Sequence, residues 1–157
     1  MSGVAIRDAR PGDHDALFAM YAQVVEEGGA FPREPPADEQ TFRTAWIDSK
    51  TGVYVAELGG AVAGSYHLLP NFDGSAAHIA NAGYMVAPAY RRRGVGRALV
   101  EHSLDEARRH GFDAMMFNLV VESNPSRRLY EQLGFEVVGR VPSAIRGEDA
   151  LAYWRKL

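Results

Sequence analysis

Seven consecutive residues, Arg91-Arg92-Arg93-Gly94-Val95-Gly96-Arg97, combine what a pyrophosphate needs. Glycines let the backbone come close to a ligand. The start of a helix offers free amides carrying a partial positive charge. Four arginines at the same place add charge that ordinary pH does not remove. The bare pattern (Arg or Gln, two free positions, Gly, one free position, then Gly or Ala) arises roughly 0.15 times per chain of this length at average residue usage. Its context therefore has to carry weight: a β-rich segment and Pro88 precede it, and a helical pattern follows. Leu99 stands where a dinucleotide fingerprint needs its third glycine, and no Gly-Lys-Ser or Gly-Lys-Thr follows to make a P-loop.

Two further segments hold polar groups in unusual places. Asn118 interrupts Ala114 to Val121 (AMMFNLVV), a run apolar enough to be a strand buried on both faces. Asn is depleted in strands, and a buried amide without partners costs about 1–3 kcal/mol. Either the side chain bonds to backbone, or it is a neutral donor for a carboxylate, which an Asp or Glu there would repel. Farther on, Asn124 or Ser126 can cap a helix with Leu129, Tyr130 and Leu133 on its apolar side and Gly134 at its end. The chain has no cysteine. Disulfides, zinc thiolates and a cysteine nucleophile are thereby excluded, so group transfer would be direct or would use another residue.

These residues need a scaffold. The chain has 157 residues, 46% hydrophobic and 24% charged, enough for one sizeable core and unlike a disordered chain. Seventeen Lys plus Arg against twenty Asp plus Glu give a net charge of -3, with no global basic footprint for nucleic acid. Val4 to Asp8 reads as a strand, and Asp13 as the cap of a helix reaching Glu27 with Leu17, Met20, Tyr21 and Val24 on one stripe. Gly28 to Asp38 is a proline- and glycine-rich loop fit to border a site. Asp38 or Thr41 starts a second helix ending before Gly52. Val53 to Leu58, Ala61 to Leu69 and His78 to Val86 follow as strands, the first two joined by Gly59-Gly60 and the last two by the turn at Asn71 to Gly74. Gly94 to His110 is a helix, Ala114 to Val121 a strand, Ser126 to Leu133 a short helix, and Phe135 to Arg140 and Ala150 to Lys156 the last strands. A meander followed by a β-α-β crossover makes one α/β domain: a mixed sheet of six or seven strands with helices on both faces, spanning 1–157.

The phosphate turn and the Asn124 to Phe135 segment, in that order with a buried strand between them, resemble the paired motifs of the GNAT superfamily of acyl-CoA-dependent N-acyltransferases. The resemblance covers nearly the whole chain in element order. It implies a sheet splayed between the fourth and fifth strands, with acetyl-CoA as co-substrate in the opening. Met85, Val86 and Ala87 would line the opening, the Val86 amide binding the thioester oxygen. Arg91 to Arg97 would hold the pyrophosphate, Asn124 and Ser126 would meet the pantetheine arm, and Tyr130 would stand near the sulfur as its proton donor.

A narrower resemblance lies in His78 to Tyr84 and Phe117 to Val121, which look like the azetidine-2-carboxylate (proline-analogue) N-acetyltransferases. It implies that Asn81 and Asn118 hold the acceptor's carboxylate and that Asn124 assists transfer. That subgroup tends to have another aromatic where this chain has Tyr130. The expected activity is N-acetylation of a small amine, an amino acid or a cyclic secondary amino acid. Other acceptors (a phosphinic amino acid, a polyamine, a protein amino terminus) and a non-catalytic acyl-CoA sensor are the alternatives.

The base is open: Glu122, which shares strand parity with Asn118, and His78 are candidates beside water. His67 and His78 would face each other if their hairpin centred between Phe72 and Asp73, but no third ligand falls at metal spacing, so no metal is expected. Phe31, Trp46 and Tyr54 read as core, and Glu26-Glu27 as a solvated helix end. Arg7 and Asp8 break the amino-terminal stretch before an apolar run can form, and no stretch approaches eighteen apolar residues. The expectation is a cytoplasmic protein with no membrane or nucleic-acid partner, with a homodimer possible as in many GNAT relatives.

Overall fold

A computed structural model describes residues 3–157. Its centre is a seven-stranded sheet in the order β1-β2-β3-β4-β5-β7-β6. β1 is Ala5–Asp8, β2 Gly52–Leu58, β3 Ala61–Pro70, β4 Ile79–Val86, β5 Ala114–Val121, β6 Glu136–Ile145 and β7 Glu148–Lys156. The helices are α1 (His14–Glu27), α2 (Glu39–Phe42, continued by a wider turn over Arg43–Ile47), α3 (Val95–Arg109) and α4 (Arg127–Gln132). The mixed α/β architecture read from the sequence is the one observed.

Strand alternation sorts the side chains into two cores. Tyr66, Leu68, Ala80, Ala82, Met115 and Phe117 pack with Leu99, Val100 and Leu104 of α3 and Tyr130 of α4. Val55 and Met85 point through the other face, against Leu17, Tyr21, Val24 and Trp46 of the α1–α2 layer. One chain of bonds fixes that second layer: the Trp46 indole N–H donates to Ser65 Oγ at 2.9 Å, and Ser65 donates to the Tyr54 carbonyl at 2.7 Å. Trp46 and Tyr54 are thus core residues, as expected.

β4 and β5 are parallel neighbours, yet their pairing is confined to Ile79 with Ala114 and Ala80 with Met115. Beyond those residues the strands part. The other borders of β4 and β5 are long antiparallel ladders with β3 and β7.

Several local expectations are corrected. Asp13 does not cap α1 with its side chain; its carboxylate takes two guanidinium N–H groups of Arg7 and the Arg10 amide instead. A bidentate charge-assisted pair is stronger than one cap bond. β6 and β7 are longer than read, turning at Arg146-Gly147, because Pro142 sits on an edge strand at a register shift, where a missing N–H is tolerated. His67 pairs with Gly83 across the β3–β4 ladder, so it does not face His78. His78 lies before β4 with Nδ1 near the Ser75 carbonyl. Among the described residues no group of three His, Asp or Glu side chains could hold a metal ion, and no helix is long and apolar enough to cross a membrane.

Candidate active site

The gap between β4 and β5 is where backbone groups come free. The Ala87 N–H donates to the Ala63 carbonyl at 2.9 Å. Amide and carbonyl alternate sides along a strand, so the Val86 N–H points away from β3, into the space β5 has left. Its neighbour Met85 is buried against the α1–α2 layer.

The arginine-glycine turn follows directly. Gly94 has φ 84, a left-handed conformation that suits glycine, and ends the turn immediately before α3. Arg92, at φ 61, is also left-handed and strained. The Ala98 amide is bonded back to the Gly94 carbonyl at 3.1 Å, which leaves those of Val95, Gly96 and Arg97 as the unpaired first turn of the helix. The four arginines are not equivalent. Arg91 makes a two-pronged ion pair with Glu27 at the end of α1, at 2.6 and 2.7 Å. Arg97 bonds Gln132 at 2.6 Å and reaches Glu101 at 3.4 Å. Arg93 lies over the Tyr90 ring, and among the described residues neither it nor Arg92 has a carboxylate partner. Two guanidiniums and three amides therefore remain for an anion, and the glutamate that read as a solvated helix end is the clasp on Arg91.

Asn124 Oδ1 accepts the Ser126 amide at 2.8 Å and shapes the entry to α4, leaving its Nδ2 without a partner among the described residues. The Tyr130 amide donates to the Ser126 carbonyl at 3.0 Å. The Tyr130 ring packs between Phe117, Phe135 and Tyr153, with centroids 4.7, 5.9 and 5.8 Å away. Burial pushes its phenol up to about 12, against a smaller opposing effect of a hydrogen bond with Ser126.

Asn81 and Asn118 are brought together by a residue that read only as a turn. Asn71, just past β3, accepts from Asn81 Nδ2 at 3.0 Å and from Asn118 Nδ2 at 2.7 Å, and donates to Asn118 Oδ1 at 2.9 Å. Each side-chain amide has two N–H groups, so all three asparagines keep one N–H beyond this network. The sequence signal for Asn71 was the third Asn near the same strand ends, overlooked because Asn is commonplace in turns. Asn118 is exposed, not buried on both faces, because β5 is irregular between Phe117 and Val120. The same irregularity breaks the parity that tied Glu122 to Asn118. The Glu122 carboxylate pairs with Arg140, which also holds Asp149 at 2.9 Å. A cavity of about 460 Å³ lies elsewhere, between the β1–β2 edge and α3 around Tyr54, His102 and Glu106. It contains none of these groups.

A family model for the acetyltransferase (GNAT) family matches residues 17–135. The chain is 38% identical over 104 residues to the N-acetyltransferase aca1 of Schizosaccharomyces pombe, a match covering 66% of this chain and 46% of that protein. It is 31% identical to the L-methionine sulfoximine/L-methionine sulfone acetyltransferase of Salmonella typhimurium, over 88% of this chain and 84% of that one. Its fold superposes with a TM-score of 0.87 on yncA of Salmonella typhimurium, solved with its cofactor acetyl-CoA, at 27% identity over 99% and 94% of the two chains.

Proposed function

The chain belongs to the acetyltransferase (GNAT) family and is an N-acetyltransferase, and we propose that its acceptor is the amine of a small amino acid. The observation that carries this is the Asn71–Asn81–Asn118 network beside the β4–β5 opening. It presents several neutral N–H donors on a rigid frame and no carboxylate of its own, which suits the carboxylate of an amino acid. The Salmonella relative named for methionine sulfoximine and methionine sulfone supports the same class. Cyclic secondary amino acids such as azetidine-2-carboxylate are the finer form of the reading.

The residues present fit acetyl-CoA, which supplies an activated acetyl thioester. The amides of Val95, Gly96 and Arg97, with Arg92 and Arg93, receive its pyrophosphate. The Arg91–Glu27 pair and the Arg97–Gln132 bond brace this cradle. Met85 and Ala87 flank the amide that matters for transfer, and Asn124 Nδ2 and Ser126 face the pantetheine arm.

The acceptor nitrogen attacks the thioester carbon directly, since there is no cysteine to carry the acyl group. Negative charge gathers on the carbonyl oxygen. The Val86 N–H donates to it, and a fixed donor of this kind is worth about 3 kcal/mol of barrier. The attacking nitrogen gives up its proton to water, the C–S bond breaks, and Tyr130 protonates the leaving sulfur and is reprotonated from solvent; a phenol raised to about 12 stays protonated at neutral pH. Glu122, engaged by Arg140, is poorly placed to act as the base.

Release of free CoA thiol from acetyl-CoA tests the reading, and the cysteine-free chain adds no thiol signal. The acceptors are azetidine-2-carboxylate, proline, L-methionine sulfone, a phosphinic amino acid, spermidine and a peptide amino terminus. Turnover with amino acids alone is expected. Turnover confined to spermidine or the peptide would overturn the acceptor assignment while leaving the cofactor site intact.

A further inference from the structure

His67 has neither ring nitrogen bonded within the described residues, although the residue is largely buried. Nδ1 is sealed from solvent with no partner. Such a group costs about 1–3 kcal/mol and is rare in folded proteins. The ring stands edge-to-face with Trp46, centroids 4.5 Å apart at 88°, and Trp46 is itself locked to Ser65. Nε2 lies over Gly83: a Cβ on that glycine would stand 2.5 Å from it. Only a residue without a side chain lets the imidazole occupy this place.

The location gives Nε2, the other ring nitrogen, a purpose. Gly83 and Asn81 are alternate residues of β4, so they share the face covered by α1 and α2 and lie about 6.7 Å apart along the strand. Gly83 lies between Asn81 and Val86, on the strand that borders the opening. An α-amino acid whose carboxylate rests on the asparagines, and whose nitrogen reaches toward the Val86 amide, passes beside Gly83 on its β5 side, with its amine facing Nε2.

We propose that His67 contacts the acceptor, its Nε2 lone pair accepting a hydrogen bond from the amine that attacks. The assignment rests on the amino acid reading of the site. A neutral imidazole with the proton on Nδ1 offers that lone pair, and it holds the amine's own lone pair toward the thioester carbon. Burial, together with the nearby Lys50 ammonium, pushes the imidazole down to about 3, so it is uncharged and does not repel a cationic amine arriving from solvent.

The test uses the full-length enzyme and two variants, H67F and H67Q. The ring of H67F keeps the Trp46 contact without a hydrogen bond, and H67Q keeps a polar acceptor near the same place. Steady-state kinetics with L-methionine sulfone and azetidine-2-carboxylate are measured beside acetyl-CoA affinity and thermal stability. The expected result for H67F is a loss of about tenfold or more in acceptor kcat/KM, with acetyl-CoA affinity unchanged and stability equal to or above that of the wild type. H67Q is expected to recover part of the loss. Acceptor kcat/KM within twofold of wild type in H67F overturns the assignment. So does a loss accompanied by lowered stability and weakened acetyl-CoA binding, which marks a purely structural residue. If the wild-type enzyme turns over no amino acid, the acceptor reading fails first and takes this one with it. If the wild type turns over amino acids and H67F matches it, only the role of His67 is lost.

Discussion

Asn71 and Asn118 exchange two side-chain hydrogen bonds, of 2.9 and 2.7 Å, that tie the end of β3 to β5 across the intervening β4. β4 and β5 themselves hold each other only at their first residues. The asparagine pair thus sets the width of the opening at a point where the backbone does not. Asn71→Ala removes both bonds and the acceptor oxygen of Asn81. Acceptor kcat/KM should fall by about 10- to 100-fold, as expected when neutral donors lose their orientation, with acetyl-CoA affinity preserved. Initial rates at varied acceptor and fixed acetyl-CoA measure this.

The phosphate turn makes a separate demand. Gly94 has φ 84, which costs any other residue about 1–2 kcal/mol. Gly94→Glu adds a carboxylate beside the free amides of α3. Acetyl-CoA affinity, read by calorimetry, should weaken by well over tenfold. Arg91→Ala removes the clasp on Glu27 and should weaken it less, because Arg91 braces the turn and Arg92 and Arg93 remain.

Tyr130 must be protonated to donate to sulfur, and burial raises its phenol to about 12. A raised value keeps the proton in place, so kcat should show no falling limb from this residue between pH 7 and 10. A pH profile of kcat with Tyr130→Phe as control checks it. The variant should lose roughly 10²-fold or more in kcat and keep its affinity for acetyl-CoA.

His67 leaves a mark on stability as well. Its folded pKa, down near 3, lies below the unfolded value of about 6.5, so the unfolded chain binds the proton more readily. Stability should therefore fall as pH drops through 6.5 toward 3, at up to about 1.4 kcal/mol per pH unit. Denaturant unfolding at pH 7, 6, 5 and 4 should show a shallower decline in H67F than in the wild type. Asp13, held low by Arg7, adds its own loss only at more acid pH.

The sequence was most legible where one local property dictates structure. The turn from Arg91 to Gly96 could be read because glycine, arginine and a helix start each have a local reason to be there. The short helix after Asn124 could be read from its residue types, but not its cap: Asn124 accepts the Ser126 amide in a turn ahead of α4, and Ser126, which immediately precedes the helix, makes no side-chain cap bond. Asp13 shows the limit of that reasoning. It is an equally good cap by type, and Arg7, brought near by the chain's path, claimed its oxygens. Glu122 failed for a related reason, since strand parity holds only until a register shift, and β5 has one between Phe117 and Val120.

By itself the sequence determined the family, the α/β order, the arginine-glycine turn into a helix and the absence of a cysteine route. All of these follow from residue types at fixed short spacings. Tertiary structure decided which side chains meet. Asn71, Asn81 and Asn118 sit on three different strands or their ends, and His67 reaches Gly83 only because β3 and β4 pair in one register. A shift of one residue in that register would turn His67 away from the α1–α2 face, since successive side chains on a strand point to opposite sides. Contacts between strands depend on register, splay and bulge, and those are set by the packing of the whole sheet, not by any segment of it.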